Sequence, residues 1–174
     1  VLSSVGSYSL AAISKNQSRE NITHTANQLL KAVLPIGALA AAALGVFGVP
    51  ALFILSGREF TSAAHYFPLL LGADFVQAFI WVIGAPLLAL RMVRIWLLLD
   101  LLQWGVRWAL VVFLLPILGP QAIVIAWFGA TLLHLCSNLY FYLIHLKFGL
   151  NKEHLLHLLA GLALILVCSY LGAT

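Results

Sequence analysis

The stretch from Ile95 to Ala130, IWLLLDLLQWGVRWALVVFLLPILGPQAIVIAWFGA, leaves the chain few folds to choose from. It holds two apolar segments separated at Pro116–Pro120, and the first carries an acid, Asp100, and a base, Arg107. About 20 predominantly apolar residues cross the hydrocarbon core of a bilayer. The first segment is long enough to do so, and the second opens another that continues to Leu146. Ionisable groups inside such segments face the protein interior or a water-filled cavity, so the same stretch that sets the class also marks the place to look for function.

The whole chain has this character. It is 63% hydrophobic and 8% charged, against about 25% charged residues in ordinary soluble domains. Its mean hydropathy is +1.07. These values describe an integral membrane protein. The net charge of +4 does not indicate nucleic acid, because the nine Lys and Arg are dispersed between apolar runs and form no basic face for phosphate backbones. Cys136 and Cys168 lie in apolar runs, where a thiol behaves as a small hydrophobe. No disulfide frame, metal site or cofactor is expected.

Residues 1–13 read as the end of an apolar helix. At ~1.5 Å per residue they cover about 20 Å of a ~30 Å core. With Val at the first position, they are expected to be a truncated span, and the chain the C-terminal part of a longer protein. Residues 14–31, SKNQSRENITHTANQLLK, are expected to form a cytoplasmic loop passing into an amphipathic surface helix. Five spans follow, at Ala32–Leu55, Tyr66–Leu90, Ile95–Leu115, Gln121–Leu146 and Leu155–Ala173, making residues 32–174 a five-helix bundle. In lipid, helix is the open-ended structure that satisfies its own backbone, so the fold class is all-α, a polytopic membrane helical bundle.

Lys and Arg orient the bundle. With the first loop cytoplasmic, Lys15, Arg19, Lys31, Arg91, Arg94, Lys147 and Lys152 all lie inside, and Arg58 alone lies in an outer loop. Gly37, Ala41 and Gly45 recur at four-residue spacing, which allows close approach of another helix.

Asp100, Gln103 and Arg107 stand at i, i+3 and i+7 and share one helix face. Helical side chains point back toward the N-terminus, so Arg107 is expected to reach toward Gln103 and Asp100. The stripe either lines a polar cavity or forms a satisfied seam between helices. Trp96, Trp104, Trp108 and Trp127 are expected to anchor and pack. His134 and Asn138, at i and i+4, are either polar lining or helix-to-helix hydrogen-bonding groups. Asp74 and Gln77 open the second span on its outer side, where a vestibule would expose them. His154 and His157 share a face beside Lys152 and Glu153; a metal needs more ligands than this pair, and headgroup-level histidines are expected.

Three segments in succession carry a family resemblance: LFILSGREFTSAAHYFPLL (Leu52–Leu70), LLALRMVRIWLLLDLL (Leu87–Leu102) and LLPILGPQAIVIAWFGA (Leu114–Ala130). The chain resembles the C-terminal half of polysaccharide flippases of the multidrug/oligosaccharidyl-lipid/polysaccharide exporter superfamily. The family's apolar-Gly-x-x-(Phe/Tyr)-x-x-Ala turn is matched by Leu55, Gly57, Phe60 and Ala63. Its Leu-Ile-Pro-x-x-Gly pattern is matched by Leu114-Leu115-Pro116-Ile117-Leu118-Gly119, after which Pro120, Gln121 and Ala122 depart from the expected Gly-Ala pair.

The resemblance implies a multi-pass protein of the bacterial inner membrane, with no enzymatic chemistry. It would move an undecaprenyl-diphosphate-linked oligosaccharide by alternating access between this bundle and an N-terminal one, with a coupling ion plausible. Arg107 would then pair a substrate phosphate, with Asp100, Gln103, His134, Asn138 and Asp74 as further cavity candidates. A drug or cation exporter of the same superfamily, a membrane enzyme with its catalytic residues further N-terminal, and a structural scaffold are the alternatives.

Overall fold

In the computed structural model of the chain, the described residues are Leu10, Ala11, Ile13, residues 18–56 and residues 64–173. They form helices α1 (Arg19–Ser56), α2 (Phe67–Ala89), α3 (Val93–Leu118), α4 (Gln121–Tyr140) with a π-helical extension over Phe141–His145, and α5 (Lys152–Ala173). All five are long and apolar enough to cross a membrane, and no strand occurs among the described residues. The protein is therefore a multi-pass helical bundle. Of the segment expected as a truncated span, Leu10, Ala11 and Ile13 are helical and the rest lies outside the described residues, as does the Gly57–Ala63 turn with Arg58.

Helix α1 has 38 residues, ~57 Å at ~1.5 Å each, against a ~30 Å core. Its first three turns must therefore stand outside the hydrocarbon. These turns fall where a loop was expected through Lys31. Ile22, Ala26 and Leu30 explain the difference: at four-residue spacing they make an apolar stripe, fully buried and continued by Leu34 and Ala38, inside an otherwise polar stretch. Asn27 fixes the opposite partner. Its Nδ2 donates to the Gly149 carbonyl at 2.9 Å, and its Oδ1 accepts from the Asn151 amide at 3.4 Å, which straps the α4–α5 connection onto α1.

Helix α2 is the centre of the bundle. It contacts all four other helices, and Phe75, Val76, Phe79, Ile80, Val82 and Ile83 are buried along it. Helix α3 is at the edge, touching chiefly α4, with no buried share in its most apolar window. Helices α1 and α5 pack most extensively, because small residues let their backbones meet. A Cβ on Gly172 would collide with the backbone of Gly45 and Val46, and one on Gly45 would reach the Ser169 backbone at 3.0 Å. The small-residue stripe thus serves two partners: Gly45 meets α5, while Gly37 faces the Phe75 ring of α2.

The α2–α3 and α3–α4 turns are tight. Met92 donates to the Leu87 carbonyl at 2.7 Å and Arg91 to Leu88 at 3.0 Å, a Schellman closure that puts Arg91 at φ +60°. At the opposite end of α3, Gly119 donates to the Leu115 carbonyl at 2.9 Å and adopts φ +58°, ψ −144°. That region is open to glycine and strained for every other residue. Gly105, mid-way along α3, has nothing within 4 Å of where its Cβ would be.

These two glycines predict opposite responses. Gly119→Ala should lower unfolding stability in detergent by about 1–3 kcal/mol, the usual cost of such strain, while Gly105→Ala should leave it unchanged or raise it by up to ~1 kcal/mol. Equal effects at the two positions would contradict the assigned turn geometry.

Candidate functional site

Helices α2, α3 and α4 each bring one polar side chain to a common level. Gln103 on α3 donates through Nε2 to Gln77 Oε1 on α2 at 3.0 Å, and more weakly to Thr131 Oγ1 on α4 at 3.5 Å. Thr131 is fully buried. At ~1.5 Å per residue α3 is ~39 Å long, and Gln103 lies ~15 Å from its start, well inside the hydrocarbon. The Gln103 amide N–H groups thus tie α3 to both α2 and α4.

Gln77 was expected in an outer vestibule and is instead half-buried against Gln103. Thr131 escaped the sequence reading altogether. Its signal was nonetheless present, since Trp127, Thr131, His134 and Asn138 stand at i, i+4, i+7 and i+11 and therefore share one face of α4.

Arg107 lies one turn beyond Gln103, ~21 Å along α3 and near the bilayer midplane. Its guanidinium carbon is 3.5 Å from the ring centroid of Trp127 on α4 and 4.9 Å from that of Trp104 on its own helix. No ion pair or hydrogen bond joins Arg107 to Asp100 or Gln103 among the described residues. The expected reach back along α3 is thus replaced by a reach across to α4. The Trp127 face offers the guanidinium a neutral cation site on the neighbouring helix.

Cation–π contacts reach about 2 kcal/mol when desolvated, against about 2.5–3.5 kcal/mol to insert an Arg at a helix centre. The two indoles therefore offset part of the cost of placing the charge at this depth, the share falling to about 0.5–1 kcal/mol where water reaches it. They do so through the guanidinium face, while its N–H donors lie in the plane and are not consumed by a ring beneath them.

The other candidates do not converge on Arg107. Asp100 is half-buried one turn before Gln103 on α3. Asp74 is half-buried one turn before Gln77 on α2. His134 and Asn138 are both buried against the bundle; Asn138 Nδ2 donates back to the His134 carbonyl at 3.0 Å, and its Oδ1 would lie 3.2 Å from a Cβ on Gly84 of α2. Asn138 thereby occupies the helix-packing role. The His134 ring keeps its Nδ1 buried without a partner. His154 is likewise buried, and His157 exposed, at the α5 N-terminus far from this seam.

No family model matches the chain, and no curated protein or solved structure is significantly similar to it.

If the Gln77–Gln103 bond carries the seam, Gln77→Leu and Gln103→Leu should be non-additive. Their double-mutant cycle should give a coupling of about 0.5–1.5 kcal/mol, the range of interhelical hydrogen bonds in membranes, by reversible unfolding in mixed micelles. Strict additivity would mean the two amides are not partners.

Proposed function

We propose that this bundle is part of a transporter that carries an amphiphilic anion, most closely a diphosphate-linked oligosaccharide on a lipid carrier, from the inner to the outer leaflet of the bacterial cytoplasmic membrane. One observation carries the reading: a mid-membrane arginine held by indole faces and not by a carboxylate. A purely structural arginine at this depth is expected to pair with an acid, and both Asp100 and Asp74 lie within a turn or two of its level. The guanidinium instead keeps a planar fork of donors, the geometry that suits bidentate phosphate recognition. The family resemblance of the sequence points the same way.

The position of α3 gives the proposal its mechanics. Because α3 is the edge helix, a cavity bordered by Arg107 would be shared between this bundle and a second one, and rocking of the two would expose it to either side in turn. No bond is made or broken. The Gln77–Gln103–Thr131 tie would hold α2, α3 and α4 as a rigid unit during that motion. Trp104, half-exposed beside Arg107, would give the cavity wall an apolar surface with a polar edge.

In the full-length protein, Arg107→Ala should reach the membrane in normal amount and cut oligosaccharide export by about ten- to a hundredfold, the equivalent of a lost hydrogen bond to a charged group at ~1.5–3 kcal/mol. Arg107→Lys, which keeps charge but loses the fork, should be intermediate. Accumulation of lipid-linked oligosaccharide on the cytoplasmic leaflet is the measurement. Export by the alanine variant at the parental rate would overturn the proposal.

A further inference from the structure

At the end of the bundle where Lys31, Arg91, Arg94, Lys147 and Lys152 collect, the seam between α1 and α5 holds two hollows in series. The outer is polar, about 470 Å³, and lies over His24, Gln28, Lys31 and Asn151, with Glu20 at its far end. The inner is an apolar groove of about 310 Å³ between Leu34, Ala38 and Leu39 of α1 and His157, Ala160 and Leu164 of α5. Both fall in the ~300–1,000 Å³ range of ligand clefts. They follow a single face of α1, because positions 24, 28, 31, 35 and 38 repeat at helical spacing. Lys31 and Pro35, one turn apart, mark the passage from one to the other.

Each feature of that passage favours an anion with a hydrocarbon tail. Lys31 lines the polar hollow and His157 the apolar groove, and both lie within electrostatic range of the buried His154, with Glu153 as the nearby acid. Lys31 has no carboxylate partner among the described residues. Glu20 is eleven residues away, ~16 Å along the helix, which directs a phosphate to the Lys31 end. Asn27 is spent in holding the α4–α5 connection, its amide N–H groups donating to the Thr23 and Gly149 carbonyls. The Lys31 ammonium is therefore the cation of the headgroup site, with His24 and Gln28 as further polar lining. Polar hollow above, apolar groove below, an ammonium between: this is the order in which a lipid presents phosphate and chain across a leaflet.

We propose that this seam binds one anionic glycerophospholipid, its phosphate at Lys31 and an acyl chain along the α1–α5 groove. The site is separate from the Arg107 seam and does not depend on the transport reading. Bound there, the lipid would brace the protruding first turns of α1 against α5.

The test is native mass spectrometry of the full-length protein in neutral detergent with added phosphatidylglycerol or phosphatidylcholine. One phosphatidylglycerol should be retained per chain, at least fivefold over phosphatidylcholine, in keeping with the typical preference conferred by one Lys at an anionic surface. Lys31→Ser should remove that preference. Lys152→Ser, an exposed cation on the same side, should leave it intact. Ala160→Phe, exposed at the groove, should reduce retention of both lipids without altering thermal stability. Equal retention of the two lipids, equal effects of the two lysine variants, or displacement of phosphatidylglycerol by millimolar inorganic phosphate would overturn the proposal; the last would assign the site to a soluble anion.

Discussion

Hydrocarbon offers a polar side chain no water, and this constraint organises the bundle from its backbone outward. Main-chain groups are satisfied by helix, which accounts for five long spans joined by short closures. Side chains have two solutions, and both are used within one turn of α3. Gln103 is satisfied by amide and hydroxyl groups on two neighbouring helices. Arg107 is satisfied electrostatically, by aromatic faces, and this leaves its hydrogen-bonding capacity in reserve. The first solution fixes helices relative to one another. The second leaves the guanidinium N–H donors unengaged by the rings.

Packing around these groups follows the same economy. The hydrophobic effect does not drive helices together in lipid, so close backbone contact must. Gly45 and Gly172 supply it between α1 and α5, and Gly84 makes room for Asn138 between α2 and α4. The central helix, α2, is the most buried, while α3 projects most of its apolar side chains outward. A charged residue on the least embedded helix is costly for a scaffold; under the proposed transport function it would sit where two bundles move against each other.

Sequence reading located the spans to within a few residues because lipid imposes one length and one polarity on each. It misplaced the start of α1, where Ile22, Ala26 and Leu30 are outnumbered by polar neighbours and composition conceals a period-four stripe. It identified one face of α3 correctly, yet gave Arg107 the wrong partner. Spacing along a single helix reports which residues share a face; it contains no information on which side chains of α2 and α4 arrive opposite. Gln77, Thr131 and Trp127 are such arrivals. Of the three, Thr131 was most recoverable, as the second member of the Trp127–Asn138 stripe.

The central claim is that Arg107, at mid-membrane depth, borders a water-accessible cavity and is not sealed in a dry seam. In a background with Cys136→Ser and Cys168→Ser, Arg107→Cys and Val112→Cys should be compared for reaction with a membrane-impermeant, charged methanethiosulfonate, which modifies thiolates in water. Val112 is exposed on α3 among apolar neighbours. The account predicts modification at position 107 at least tenfold faster than at 112, and protection at 107 by a lipid-linked diphosphate. Equally slow reaction at both positions would contradict it.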